Sequence, residues 1–269
     1  MKPLQNKVLF ITGASRGIGL AIAKRAAADG AKIIIAAKTT EPHPKLSGTI
    51  FTAAEEVKQA GGEAFPVVCD IREEESIKKA MTEGAAHFGG IDICVLNASA
   101  IYLTKTPETP SRRFDLMHGV IVRGSFLTVQ HSLPYLQKSV APKILALCPP
   151  LNLEEKWLAP YLAYSLAKFG LSMSVRGWAG EFKGQIDVNG LWPKTLIATA
   201  AVQNLLGGDA AIRKSRKPEI VADAAHWILT QQGVTGNHFL DEDIIKKIGR
   251  DPQSYAVDPN ETPAQDIYV

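Results

Sequence analysis

The sequence predicts an α/β protein in which a doubly wound parallel sheet is covered by helices on both faces. Apolar runs of strand length alternate with longer segments of helical period, and this repeating order requires crossover connections and therefore parallel strands. The 269 residues, 46% of them apolar, can bury one large core. No change of composition and no internal repeat divides the chain. We therefore predict a single domain.

Seven strands and six helices make up the predicted order. The strands are Lys7 to Thr12, Lys32 to Ala37, Ala64 to Cys69, Ile91 to Leu96, Lys143 to Cys148, Gln185 to Leu191 and Asn237 to Leu240. The first helix ends at Asp29, and the other five lie within Thr49 to Ala60, Glu73 to His87, Ser111 to Gln137, Tyr161 to Phe182 and Glu219 to Gln231. Gly30 and Gly61 follow helix ends, where a left-handed residue is favoured. Residues 1–245 would form the domain and 246–269 a polar, loosely packed or partner-reaching tail.

Charge and composition exclude several classes of function. The net charge of +3 comes from 30 basic and 27 acidic residues without a basic run, so nucleic acid is not a predicted partner. The first ten residues contain no long apolar stretch, and we expect no membrane span and a cytoplasmic location. The three cysteines are expected to be reduced core thiols. The six histidines show no ligand-like spacing, and no metal site is predicted.

A glycine-rich turn, Thr12 to Gly19 (TGASRGIG), separates the first strand from the first helix. Glycines let the backbone approach a pyrophosphate, and the free N–H groups at the helix start attract its charge. The predicted dinucleotide contacts in this turn are Gly13, Ser15, Arg16, Gly17, Ile18 and Gly19. A turn that only packs strand on helix is the structural alternative. The pattern Gly13-x-Ser15-x-Gly17 also matches a hydrolase nucleophile elbow, but no earlier strand is present to supply an oxyanion donor.

The end of the second strand bears on the choice of cofactor. It reads Ala36-Ala37-Lys38, without the carboxylate that binds the ribose hydroxyls of NAD. Lys38 and Arg16 would neutralise a ribose phosphate, so charge favours NADP(H). The alternative is that Lys38 is a solvated loop residue.

Tyr164 and Lys168 are four residues apart in a segment of helical period, so their side chains lie one turn apart on one face. A free phenol ionises near pH 10, and a neighbouring ammonium is expected to lower that pKa. Tyr164 could then exchange a proton with a substrate oxygen during hydride transfer. A tyrosine and lysine at this spacing also occur by chance, and the glycine turn gives the pair its meaning.

These motifs together resemble the short-chain dehydrogenase/reductase family over roughly residues 5 to 245. The glycine turn, Asp70-Ile71, Asn97-Ala98-Ser99 and YSLAK at Tyr164 to Lys168 follow one another in the family's order. More narrowly, AAKTTEPHPKLSGTI, FGGIDI, CPPLNL, EFKG and LWPKT resemble the hydroxysteroid dehydrogenase-like subfamily, whose animal members add a sterol-carrier module that these residues do not contain.

The resemblance implies a Rossmann-like fold and NADP(H) as cofactor. It implies Tyr164 as catalytic acid/base and Lys168 as the residue that binds ribose and tunes the tyrosine. The implied cofactor contacts beyond the glycine turn are Lys38, Asp70 at the adenine, Ile71, Asn97, Tyr164, Lys168 and Pro193. Asp70 has a helix N-cap as its alternative role. The implied partners are a small, apolar carbonyl or alcohol substrate and further copies of the chain in a homodimer or homotetramer.

Two positions depart from the family pattern. Pro149 stands where most members have a catalytic serine, and Ile121 stands where most have an asparagine that holds a relay water. Asn152, twelve residues before Tyr164, is predicted to donate to the substrate oxygen in place of the serine, with loop stabilisation as its alternative role. Two functions therefore stay open at this point: a reductase with an altered site, and a catalytically weak nucleotide-binding sensor.

Overall fold

The computed structural model describes residues 2–43 and 46–269, and these residues form one seven-stranded sheet in the order β3-β2-β1-β4-β5-β6-β7. Every strand pairing in it is parallel. The strands are Val8–Thr12 (β1), Lys32–Ala37 (β2), Glu63–Val68 (β3), Ile93–Leu96 (β4), Lys143–Leu147 (β5), Asp187–Trp192 (β6) and His238–Leu240 (β7). The predicted fold class is confirmed, and each strand begins and ends within two residues of its predicted bounds.

Helices cover both faces of the sheet. They are Gly17–Ala27 (α1), Ile50–Gln59 (α2), Glu74–Phe88 (α3), Ser111–His118 (α4), Ser125–Leu136 (α5), Glu155–Leu158 (α6), Leu162–Glu181 (α7), Ala200–Leu205 (α8), Gly208–Arg213 (α9), Glu219–Thr230 (α10) and Asp241–Lys247 (α11). Among the residues described, no helix is long and apolar enough to cross a membrane.

Two apolar clusters form the core, one on each face of the sheet. Ile33 and Ile35 of β2 pack towards α1, α2 and α10, whereas Ile34 packs towards α3 on the opposite face. This division follows from the alternation of side chains along a strand. Strands buried on both faces read as continuous apolar runs, which is why the sequence showed no polar alternation within them.

The segment predicted as a single helix, Ser111 to Gln137, is interrupted by a π-helical stretch at Gly119–Gly124. A Cβ added at Gly124 would lie 2.8 Å from the carbonyl oxygen of Ile71, so the helix approaches the loop after β3 more closely than a side chain would allow. Thr128 Oγ1 donates to the displaced carbonyl of Gly124 at 2.7 Å. Helical periodicity alone does not distinguish this wider turn, and such π-helical stretches are frequent at functional sites.

The C-terminal residues pack against the domain, so the expectation of a loosely packed tail is wrong. Tyr268 is 1% exposed, and its hydroxyl lies 2.9 Å from Ser165 Oγ on α7. Its ring packs beside the rings of Trp157, Phe169 and Trp192. The apolar residues that anchor the tail stand at its very end, where a short run carries no periodicity for sequence analysis to detect.

Replacing Tyr268 with alanine should release the tail. Truncating a buried aromatic side chain costs about 3–5 kcal/mol, and Tyr268 is the most deeply buried aromatic side chain among residues 246–269. Hydrogen exchange should show lost protection at the amides of Leu196 and Asp266, which bond across the tail, and unchanged protection in β1. Phe51→Ala is the control, because Phe51 is 53% exposed. A protected tail in Tyr268→Ala would contradict the described packing.

Candidate active site

Two adjoining cavities lie at the carboxyl ends of the strands. The outer cleft, about 660 Å³, is lined by the glycine turn, Lys38, Asp70 and Asn97. The inner cavity, about 360 Å³, contains Tyr164 and Lys168. Both are lined by Ile18, Asn97, Ser99 and Thr199, so the two spaces meet. The strand order reverses between β1 and β4, and the crevice of a doubly wound sheet forms at this reversal.

The glycine turn has the geometry that an anion site requires. Gly13 has φ +66°, and a Cβ added there would lie 2.9 Å from Ala98 Cα in the loop after β4. Helix α1 begins at Gly17 with no side chain bonded to its first N–H groups. Those groups and the positive end of the helix are available to a phosphate. The predicted turn residues are therefore brought together in a cradle that fits a pyrophosphate.

Asn97 supports the turn as well as lining the cleft. Its Nδ2 donates to the carbonyl oxygens of Thr12 at 2.9 Å and Gly13 at 3.1 Å. Its backbone N–H donates to Thr12 Oγ1 at 3.0 Å. The structure thus directs the Asn97 amide at the backbone of the turn, where it fixes the conformation that the cradle needs.

Among the described residues, three cations, Arg16, Lys38 and Arg72, and one carboxylate, Asp70, line the outer cleft. Arg72 Nε and Nη2 donate to the Asp70 carboxylate at 3.0 and 2.5 Å, and these bonds hold the Asp70 pKa below its ordinary value. Lys38 Nζ lies 3.9 Å from the same carboxylate, and Arg16 donates to the carbonyls of Ser47 and Gly48 at 2.7 Å. Sequence reasoning missed Arg72. Helix α3 begins after Glu73, so Asp70 is not its N-cap.

Tyr164 and Lys168 lie one turn apart on α7, as predicted, and both side chains are only 4% exposed. Lys168 Nζ donates to the Leu147 carbonyl at 2.9 Å and lies 6.0 Å from the centre of the Tyr164 ring. Burial lowers the pKa of Lys168 to about 8. The lysine is thereby directed at the end of β5, next to the phenol.

The Tyr164 pKa differs from the sequence-based expectation. Burial raises it well above 10, repulsion from Tyr268 and Asp266 in their ionised forms adds to this, and the neighbouring Ser99 hydroxyl lowers it. The expected lowering of this pKa by Lys168 is therefore wrong. Desolvation of the phenolate is the largest cause, and spacing along a helix does not show it. Tyr164 is a neutral phenol at physiological pH.

Sequence reasoning missed two residues of the inner cavity. Ser99 follows Asn97 and Ala98 in a quoted motif, and that motif was the available signal. Asp266 comes from the C-terminal tail, and nothing in its sequence context indicates a site. Its Oδ1 accepts the N–H of Ile267 at 2.8 Å, and burial raises its pKa to about 7.

Two further predicted cofactor contacts lie in these spaces. Ile71 lines the outer cleft, and Pro193 lines the inner cavity.

The predicted role of Asn152 is not supported by its position. Asn152 lies in a separate surface depression, where Nδ2 reaches the Tyr268 carbonyl at 3.4 Å and Oδ1 accepts the Glu154 N–H at 3.2 Å. The loop after β5 turns the side chain towards the tail, so Asn152 stabilises backbone, its alternative role. Pro149 and Ile121 occupy the positions of the usual serine and asparagine, and neither has a side chain that can form a hydrogen bond. Ile121 is also fully buried.

The hydrolase alternative fails on distance. His226 Nε2 lies 2.8 Å from Asp29 Oδ2, beyond the carboxyl end of α1, whereas Ser15 precedes its amino end. A helix of 11 residues separates them by about 16 Å. No group of three His, Cys, Asp or Glu side chains that could hold a metal occurs in residues 2–43 and 46–269.

The chain belongs to the short-chain dehydrogenase family, because residues 7–208 match the family model described as short chain dehydrogenase. This family comprises oxidoreductases whose fold binds a nicotinamide cofactor. The outer cleft lies where the strand order reverses, and its glycine turn offers free N–H groups to the phosphates of such a dinucleotide.

Among curated proteins, the chain is similar to Hydroxysteroid dehydrogenase-like protein 2 of Danio rerio, with 52% identity over 97% of this chain and 63% of the relative. It thus spans less than two thirds of that relative's length. Among solved structures, a protein of Xanthomonas campestris assigned as a dehydrogenase is 48% identical, with a TM-score of 0.95 over 99% of this chain and 98% of the other. A short chain dehydrogenase of Mycobacterium thermoresistibile is 49% identical, with a TM-score of 0.93 over 99% and 96%. The predicted family and subfamily resemblance is confirmed.

Replacing Gly13 with alanine should weaken dinucleotide binding. The added Cβ would be strained at positive φ and would press on Ala98, so the cradle must shift. We expect an affinity loss of about tenfold or more, equal to about 1.4 kcal/mol, in fluorescence titrations with NADH and NADPH. Gly177→Ala on α7 is the matched control, because nothing lies within 4 Å of its added Cβ. Equal affinities for the two variants would contradict the assignment of the cradle.

Proposed function

We propose that the protein is an NADP(H)-dependent oxidoreductase that interconverts a carbonyl compound and its alcohol, with Tyr164 as general acid/base. The observation that carries this proposal is the placement of Tyr164 and Lys168 in a cavity that opens onto the phosphate cradle. A nucleotide held on the glycine turn would extend along the outer cleft towards this pair.

The chain's own residues account for the proton in the reaction. When bound, the cofactor supplies a hydride to the carbonyl carbon. Tyr164 donates its phenolic proton to the carbonyl oxygen, which completes the alcohol, and in the reverse direction the phenolate accepts that proton. The Ser99 hydroxyl lies beside the phenol and lowers its pKa, and Lys168 is positioned by Leu147 to contact the ribose. A neutral, buried phenol favours the direction of carbonyl reduction.

The inner cavity supports a small, apolar substrate. Its polar groups are few, and its volume of about 360 Å³ is at the small end for ligand pockets. The apolar wall includes Ile101, Leu103, Leu147, Trp192, Leu196, Ile197, Val202 and Leu206. Helix α8 and the preceding loop form part of this wall, in agreement with the position of a substrate lid.

The charges of the outer cleft support NADP(H) over NAD(H). Among the described residues, Arg16, Lys38 and Arg72 line the cleft together with a single carboxylate, Asp70, so the cleft has an excess of positive charge for a ribose phosphate.

We also propose that the chain forms a homodimer or homotetramer. Exposed apolar side chains on two long helices support this: Phe126 on α5, and Leu166 and Met173 on α7.

A catalytically weak nucleotide-binding protein is the second candidate. The observation in its favour is that neither Pro149 nor Ile121 replaces the hydrogen-bonding group usual at its position. The buried Tyr164, in the same cavity as Ser99 and next to the cradle, favours catalysis, since a pure binding protein has little use for that phenol.

Tyr164→Phe should separate the two candidates. We expect kcat/KM for NADPH-dependent reduction of a panel of apolar aldehydes and ketones to fall by about 10²-fold or more, because the general acid is lost. The NADPH dissociation constant should change little. Tyr135→Phe, on α5 and outside both cavities, is the control. Binding without turnover of any panel member by the wild type would instead select the nucleotide-binding candidate.

Lys38→Ala should reduce the preference for NADPH. Removing one cation that faces the ribose phosphate is expected to weaken NADPH binding by about tenfold and to leave NADH binding nearly unchanged. The measurement is the ratio of the two dissociation constants. Lys79→Ala, an exposed cation on α3, is the matched control. A parallel loss for both cofactors would show that Lys38 does not read the phosphate.

A further inference from the structure

The inner cavity contains a carboxyl group that the family pattern does not explain. Asp266 lines it together with Tyr164 and Lys168, and its charge acts on both of their pKa values. The remaining wall is largely apolar. A titratable group in such a wall is costly unless a partner or a ligand uses it.

The tail positions Asp266 by bonds on both sides. Its backbone N–H donates to the Lys194 carbonyl at 3.0 Å, and the Leu196 N–H donates to the Ala264 carbonyl at 2.9 Å. Trp192 Nε1 donates to the Ile267 carbonyl at 3.0 Å. These bonds tie the tail to the segment that follows β6. The carboxyl group is thus held at the cavity as firmly as a residue of the domain itself.

One oxygen of this carboxyl group is available to a ligand. Oδ1 accepts the Ile267 N–H, and in the part of the chain that the structure describes no hydrogen bond is made by Oδ2. Pro149, in the serine position, has no donor to offer, and Asn152 lies outside the cavity. Ser99 and Asp266 are the polar side chains of the cavity that act on the Tyr164 phenol.

We propose that Asp266, as a neutral carboxylic acid, donates the second hydrogen bond to the substrate's carbonyl oxygen, so that the C-terminal tail completes the active site. This inference rests on the proposed function, because it concerns the oxygen that Tyr164 protonates. Asp266 orients the oxygen, and Tyr164 delivers the proton that becomes part of the alcohol. Asp266, the stronger acid of the two, returns a proton to the phenolate and is itself reprotonated from solvent.

The surroundings of Asp266 agree with a neutral acid. Its pKa is raised to about 7, with burial as the largest cause. The charge of Asp241 at the start of α11 acts in the same direction, whereas the Ile267 N–H and the Lys168 ammonium lower this pKa. The other titratable groups facing it are Tyr164 on α7, Tyr161 before α7 and Tyr268 in the tail, all phenols. When Asp266 is protonated, its carboxyl group and the apolar wall favour uncharged carbonyl compounds. When Asp266 is ionised, its negative charge repels substrates that carry a carboxylate.

The pH dependence has a definite sign. Reduction should be fastest below about pH 7, where Asp266 is protonated, and should decline as pH rises through that value. Tyr164 does not cause this decline, because its pKa lies well above 10. Loss of the Lys168 charge near pH 8 is a separate, later step.

Three variants test the inference with the carbonyl compound that the wild type reduces fastest. Asp266→Asn keeps an acceptor for the Ile267 N–H and cannot titrate, so the decline near pH 7 should disappear. Asp266→Leu should lower kcat/KM by about 10²-fold, the loss typical of one oxyanion donor, with the NADPH dissociation constant unchanged. Asp258→Asn, elsewhere in the tail, is the control and should keep the wild-type profile. Hydrogen exchange at Leu196 verifies that the tail stays docked.

A binding experiment is independent of turnover. With NADP⁺ present, tryptophan fluorescence measures binding of 2-octanone and of 2-methyl-1-octene, in which a methylene group replaces the carbonyl oxygen. The wild type should prefer the ketone, and Asp266→Leu should lose that preference. The inference would be overturned if both Asp266 variants kept the wild-type pH profile and the preference for the ketone. It would also be overturned if the wild type showed no preference for the ketone. Tyr164→Phe still decides the proposed function, so the two failures are distinguishable.

Discussion

The helical crossovers that follow β1 and β4 run in opposite directions along the sheet, and a crevice forms outside the carboxyl ends of these neighbouring strands. Gly13 and Ala98 then meet so closely that a Cβ on Gly13 would lie 2.9 Å from Ala98 Cα. Asn97 bonds the backbone of this contact on one side, and α1 begins on the other. The phosphate cradle and both cavities follow from this approach, because each is built around these two loops.

Burial, more than the lysine, determines the electrostatics of the inner cavity. Desolvation raises the Tyr164 pKa and lowers the Lys168 pKa, so both groups are biased towards their uncharged forms. Asp266 is shifted in the same sense. Such a cavity suits a reaction that begins with neutral groups and a neutral carbonyl compound.

The fold and the cofactor cradle could be predicted because they depend on local patterns. Strand bounds such as Lys32–Ala37 follow from apolar runs, and the Gly13 and Gly17 positions follow from turn chemistry. The π-helical stretch at Gly119–Gly124 and the role of Asp266 depend on contacts between segments distant in sequence. Asn152 was misplaced for the same reason: its separation from Tyr164 was suitable, but the tail determines where its side chain points.

The tail links the stability of the last residues to the chemistry of Tyr164. Tyr268 stacks with its ring centre 6.5 Å from that of Tyr164, and its hydroxyl bonds Ser165 on the same helix. Because burial is the largest cause of the raised Tyr164 pKa, undocking the tail would let water reach the phenol and lower that pKa. The same movement would withdraw Asp266 from the cavity. The docked tail therefore holds the Tyr164 pKa above its ordinary value and, on our proposal, orients the oxygen that accepts the proton, so one packing contact affects both partners in the proton transfer.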